Sequence, residues 1–227
     1  MTPKPFILTL LLASVVSMPL FALDMNSSTF LSSSNQYTYN RTLGHEDEFF
    51  FFGEYQFAQD FTVGGGFSTA FNSFPERFFV SFKVNNHPSF LQYSVTFLSR
   101  DFPDYEIREN SIYPTIGLLT RFFELEVGLG FRFLGGIPEG GTISTQYKLK
   151  FFLLNFKKYQ LTYTIKNFDN FYAANITAIS HNLDNMIKIN DNWMLTVGLG
   201  LRNAGQVGMS SFYSAFYGSV GIRYYLD

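Results

Sequence analysis

FELEVGLGFRF, residues 123–133, sets an apolar side chain at every odd position (Phe123, Leu125, Val127, Leu129, Phe131, Phe133) and Glu, Gly or Arg at every even one. Successive side chains of a β-strand point to opposite faces, so strict alternation reads as a strand with one apolar and one polar face. The question is which two environments those faces meet.

The pattern recurs along the chain. Alternating segments closed by turn residues lie at 36–42, 48–57, 61–71, 77–85, 90–100, 111–121, 123–134, 143–154, 159–168, 178–190, 193–203 and 211–226. That predicts twelve strands, with ten as the alternative, because the first segment is short and the tenth poorly patterned. Taken alternately, one set of connections is tight (AQD, NNHPS, RFFE, NFKKYQ, NDN). The other set is longer and richer in Gly, Pro and acids (GHEDE, NSFPE, DFPDYEIREN, GGIPEGGT, NFDNFYAAN, NAGQVGMSS). Short turns at one end and long loops at the other is the asymmetry of an outer-membrane barrel. An even strand count returns both termini to the tight-turn, periplasmic end.

Composition points the same way. The chain of 227 residues holds 29 Phe and 14 Tyr, yet only 15% of it is charged, below the ~25% usual for a soluble domain. Beyond the N-terminus no apolar run is long enough for a membrane helix. Apolar residues dealt out at every second position, rather than in runs, suit a transmembrane barrel. A secreted antiparallel sandwich would alternate in the same way. The aromatic excess, the loop asymmetry and the N-terminal segment favour the barrel. Residues 1–22, MTPKPFILTLLLASVVSMPLFA, read as a cleaved signal peptide, with Lys4 ahead of an apolar stretch and a cut after Ala22. A polar periplasmic lead is expected over 23–35 and the barrel over 36–227. The chain has no cysteine, which removes disulfides, thiolate metal sites and a lipidated N-terminal Cys. A formal charge of −2 gives no bulk attraction to nucleic acid.

The last segment, SVGIRYYLD, carries Ser219, Gly221, Tyr224 and Leu226. This spacing resembles the C-terminal signal by which outer-membrane proteins are handed to the barrel assembly machinery. It departs from that signal in ending on Leu rather than Phe and in the trailing Asp227. The resemblance covers the last strand only. It implies a bacterial outer-membrane β-barrel with two partners, the assembly machinery and outer-membrane lipid.

Parity sorts the charged residues. Lys83, Arg100, Arg121, Arg132, Lys148, Lys150, Lys166, Lys188, Arg202 and Arg223 are expected to face the lumen, against Glu54, Glu124, Glu126 and Asp184. Acids then neutralise only part of the cations, and unpaired charge in a dry interior is costly. A wet, basic bore that favours small anions is the expectation. A bore filled by salt bridges is the competing one, supported by inward aromatics such as Phe50, Phe52, Phe79, Phe152, Tyr213 and Tyr217. Asp101, Asp104, Glu106 and Glu109 are expected in a solvated loop. The repeated VGLGFR (127–132) and VGLGLR (197–202) lie inside strands with no helix following, so they are not phosphate-binding turns. Their glycines are expected to leave room on the inner wall. VGGGFST (63–69) is expected to mark a sharp bend.

Lipid-modifying barrels set a His and a Ser two residues apart on the outer side. His45 is expected in an outer loop and His87 in a turn. His181 has Ile179 and Leu183 at that spacing, and Ser180 falls on the opposite face, so no nucleophile–base pair is legible. The sequence therefore predicts a narrow passive channel without catalysis, cofactor or metal. A closed structural or surface-interaction barrel is the alternative, and an outer-membrane lipid-modifying enzyme the third reading.

Overall fold

The computed structural model describes residues 29–40, 44–58, 61–70, 73–86, 91–102, 107–135, 141–168, 178–204 and 214–226. The strands are β1 (Phe30–Asn40), β2 (Gly44–Ala58), β3 (Phe61–Ala70), β4 (Ser73–Asn86), β5 (Leu91–Phe102), β6 (Ile107–Leu119), β7 (Phe123–Gly135), β8 (Gly141–Phe156), β9 (Tyr159–Lys166), β10 (Ala178–Lys188), β11 (Trp193–Ala204) and β12 (Ser214–Tyr225). Each pairs antiparallel with its sequence neighbours. β1 then pairs with β12, from Phe30↔Tyr225 to Asn40↔Ala215, and closes the barrel.

The tight connections are built by their own side chains. Thr120 Oγ1 accepts from the Phe122 and Phe123 amides at 3.3 and 3.0 Å and donates to the Phe123 carbonyl at 2.9 Å. Asn190 Oδ1 accepts from the Asn192 and Trp193 amides at 3.0 and 2.9 Å, the local bonding by which Asn replaces a strand partner in a turn. Lys157 and Lys158 alone join β8 to β9. These turns share one end of the barrel with Phe30 and Tyr225, which makes it the periplasmic end.

The exterior is the odd face of FELEVGLGFRF repeated twelve times. Ile143, Leu199, Phe216 and Val220 are 68%, 65%, 61% and 58% exposed, values that water would penalise and a bilayer rewards. Trp193 and Tyr224 lie ring to ring at 4.7 Å near the periplasmic rim, where an aromatic girdle belongs.

Several expectations need correction. β1 starts at Phe30, so residues 30–35 of the expected polar lead are strand, held between β2 and β12. The expected signal peptide, 1–22, and the lead up to residue 28 lie outside the described residues. The described residues form the expected twelve strands, which rules out the ten-strand alternative. GHEDE and much of NSFPE are strand rather than loop, because the ladders continue outward: His45 pairs with Tyr39 and Glu48 with Ala70. Arg121 stands in the 120–122 turn against the ring of Phe122, 5.6 Å away, rather than on the inner wall. The glycine run of β3 carries no bulge, since the register to both neighbours is unbroken from Val63 to Ser68.

Those glycines are required by space. A Cβ on Gly66 would meet the Phe51 carbonyl oxygen, Phe52 Cβ and the Phe79 ring, whereas on Gly65 the nearest atom is a carbonyl oxygen 3.5 Å away. Gly66→Val should therefore lose about 1–3 kcal/mol by overpacking, while Gly65→Ala folds like the parent. Urea titration of the refolded protein, followed by heat-modifiable gel mobility, measures both.

Candidate functional site

The polar face of the alternation points into the barrel, and the glycines on it leave room there for neighbouring side chains. In β11, a Cβ on Gly200 would collide with the Tyr217 ring, and one on Gly198 with the carboxylate of Asp184 and the hydroxyl of Ser219. In β7, a Cβ on Gly130 would press on Gln146 and Ser144. The room seats these polar side chains directly. For Arg202 the effect is indirect, because its guanidinium stacks over the same Tyr217 ring at 5.5 Å.

Inside lies a cavity of about 480 Å³ lined by Lys83, Lys148, Lys150, Lys166 and Arg223 and by Glu54, Glu124, Glu126 and Asp184, with Thr162, Thr164, Thr196, Ser34 and Ser219 between them. Cross-strand register sets the charge pattern. Glu124 stands opposite Lys150 and Glu126 opposite Lys148. Lys148 Nζ reaches Glu124 Oε1 at 2.7 Å and Glu126 Oε2 at 3.1 Å, so one ammonium is shared by two carboxylates. Lys150 Nζ is 4.0 Å from Glu124 Oε2 and 5.5 Å from the Phe152 ring. Lys83 and Glu54 form a separate pair at 2.5 Å. The Arg223 guanidinium lies 4.1 Å from the Phe30 ring and 5.8 Å from that of Phe52, and donates to Tyr225 Oη at 3.3 Å. Its Nε has no hydrogen-bond partner in the protein.

A second charged group stands toward the outer end. Glu109, 1% exposed, accepts from Arg100 and Arg132 through the same oxygen, each at 2.8 Å. On β2, Glu48 is also buried in the wall and accepts from Ser68 Oγ at 2.6 Å. Lys188 stands at the periplasmic mouth, 2.9 Å from the exposed Asp191 of the turn. The hydrogen bond and charge of Lys188 hold that carboxyl below its usual pKa.

Two apolar clusters bracket the cavity. Phe30, Met186, Met194 and Tyr225 pack at the periplasmic end. Phe79, Leu98, Tyr113 and Phe168 pack above, with Phe168 against Tyr113 at 5.6 Å, and Phe52 touches both clusters. Phe168 is the second residue after β9, and the intervening Asn167 is anchored on the Thr145 carbonyl and the Tyr147 amide at 2.8 and 2.7 Å. That anchor turns the Phe168 ring into the bore.

The charge balance differs from the expected ten cations against four acids. Among the residues whose side chains are described, Lys83, Arg100, Arg132, Lys148, Lys150, Lys166, Lys188, Arg202 and Arg223 share the inner face with Glu48, Glu54, Glu109, Glu124, Glu126 and Asp184. Nine less six leaves an excess of three. Glu109 was expected in a solvated loop, but β6 begins at Ile107 and carries it inside. The parity of Ile112, Pro114 and Ile116, extended back through Asn110, was the available signal.

Of the expected assembly signal, Tyr224 and Leu226 face outward, while Ser219 and Gly221 face the lumen at the β1–β12 closure. His181 faces outward, its Nδ1 2.9 Å from Tyr163 Oη, and Ser180 is buried on the other face. His45 is in β2, not a loop, and His87 lies outside the described residues. No cluster of three or more His, Asp or Glu able to hold a metal occurs among the described residues.

No family model and no curated protein matches the chain. Solved structures do. The NanC porin is 9% identical with a TM-score of 0.56, over 86% of this chain and 100% of that one. The KdgM porin, solved also in complex with disordered oligogalacturonate, is 15% identical with a TM-score of 0.53, over 86% and 99%. An outer-membrane channel from Pseudomonas putida F1 is 9% identical with a TM-score of 0.54, over 92% and 97%. The likeness is one of fold: the chain has the closed β-barrel fold of bacterial outer-membrane porins and channels.

The shared Glu109 gives a direct test of this wall. Glu109→Gln leaves Arg100 and Arg132 facing each other without their carboxylate and should cost about 3 kcal/mol, as removal of one partner of a buried pair does. Equilibrium unfolding in detergent micelles reads the loss.

Proposed function

We propose that this barrel is a narrow passive channel of the outer membrane for small anionic solutes. The observation that carries the reading is the polar cavity of about 480 Å³ inside the barrel. Charged side chains in a dry interior must be fully paired, because stripping a charge of water costs several kcal/mol. Here Arg223 meets rings and one hydroxyl, and Lys150 meets its carboxylate only at 4.0 Å. Water in the bore is the cheaper way to hold them.

The sign of selectivity rests on the cation excess of the inner wall. Lys148 and Lys150 together balance Glu124 and Glu126, and Lys83 balances Glu54, so Arg223 and Lys166, set against Asp184, carry the preference inside the cavity. Rings of one charge bias which ion enters a pore. Of the other expected cations, Arg100, Arg132 and Arg202 sit nearer the outer mouth and would draw anions inward. The KdgM porin, which has been solved with a carboxylate-bearing oligosaccharide, supports a channel reading for this fold.

A closed structural or surface-interaction barrel is the second reading, and one observation favours it. The layer of Phe79, Leu98, Tyr113 and Phe168 narrows the bore above the cavity. Single-channel recording in a planar bilayer under a salt gradient separates the two. The channel reading expects discrete steps and an anion-directed reversal potential. Lys150→Glu with Arg223→Glu should turn the preference toward cations, and Phe168→Ala should raise the unit conductance. A correctly folded barrel that stays silent in the parent and in Phe168→Ala refutes the channel.

A further inference from the structure

The β3 glycines, needed inside for Phe52 and Phe79, also shape the outer wall. Gly53 and Gly65 face outward and lie side by side across the β2–β3 pair. In the next row toward the outer end stand Phe51 and Phe67, stacked at 5.3 Å, and then Phe78. On the other side Leu31 leans over Gly53, and beyond it lie Tyr224 and Trp193. The result is a furrow of about 810 Å³ in the lipid-facing wall, formed almost wholly by apolar atoms.

From this furrow we infer a site for one acyl chain of a phospholipid from the periplasmic leaflet. The volume lies within the range of ligand sites, roughly 300–1,000 Å³. Glycine inside a strand weakens it, and one use of such a glycine is to let a ligand approach the backbone. Gly65 fits that use, because nothing on the outer side comes within 3.5 Å of its would-be Cβ. The surrounding wall is covered by exposed Phe, Leu, Val and Tyr, so the glycine floor is a local depression in a lipid-covered surface. Its position commits it to the inner leaflet. Trp193 opens β11 directly after the 189–192 turn, and Tyr224 closes β12, both at the periplasmic end. Interfacial aromatics mark the depth of the headgroups, so a chain seated between them and Phe67 keeps its headgroup at the rim and its methylenes on Gly53 and Gly65.

Trp193 is the sole tryptophan, so its fluorescence reports on this site alone. The test adds phosphatidylethanolamine with dibrominated acyl chains to the refolded full chain in detergent. Quenching should saturate near one lipid per protein. Gly65→Phe, which fills the furrow, should abolish the saturable phase and leave only the gradual quenching of bulk lipid. Should Gly65→Phe fail to fold, Phe67→Ser places a hydroxyl in the furrow wall without touching the backbone and should weaken the same phase several-fold. Quenching that rises without saturation in the parent overturns the site. So does a saturable phase unchanged by either folded variant, or saturation by brominated free fatty acid but not by phospholipid. Quenching prevented by self-association into a dimer would assign the furrow to a second copy of the chain and also overturn it.

Discussion

The pairing of β1 with β12 is the constraint on which everything else depends. In a bilayer no water is available to an unpaired N–H or C=O, and each one left open costs several kcal/mol. A sheet escapes that cost only by having no edge. Closure through Phe30↔Tyr225 to Asn40↔Ala215 therefore forces the Ser-rich stretch after Phe30 into strand, although its alternation is weak. It also fixes the parity of the whole wall, because a one-residue slip in any ladder would turn a lipid-facing row into the lumen. The irregularities, between Gln56 and Ala58, Ser68 and Ala70, and Phe152 and Leu154, sit at or near strand ends, where a shift disturbs little.

Within that wall the inner space is shared between charge and volume. Ion pairs follow from register: residues opposite each other on neighbouring strands are close enough to meet, and β7 and β8 put Glu against Lys twice in succession. The apolar clusters at either end of the cavity follow from residues that break the polar pattern, Phe52, Phe79, Leu98 and Met194 among them. Glycines decide which of these fit. The ring of Tyr217 lies where a side chain at 200 would be, and Phe52 and Phe79 occupy the space beside Gly66. The bore is thus neither an empty tube nor a packed core, but a polar chamber between two apolar constrictions.

The same economy joins the inside and the outside. A strand has only two faces, so a glycine run that admits aromatic rings inward leaves every second glycine bare to lipid. Gly66 serves the lumen and Gly65 lies open on the outer wall, one residue apart.

The sequence by itself determined the fold class, the strand number and which face of nearly every strand meets lipid. These depend on period-two patterning and turn chemistry, both local properties of the chain. It also placed Lys83, Lys148, Lys150, Glu54, Glu124 and Glu126 on one face. The tertiary structure alone decided how far strands run and what meets across the bore. Glu109 looked like a loop acid because its strand begins with charged and polar residues, and only pairing with β5 and β7 carries it inside. Arg121 kept the right parity but belongs to a turn, where parity has no meaning. Phe168 reaches Tyr113 although several strands separate them in sequence, and no periodicity encodes such a contact. Local pattern tells a side chain which way to point; barrel closure tells it what it will find there.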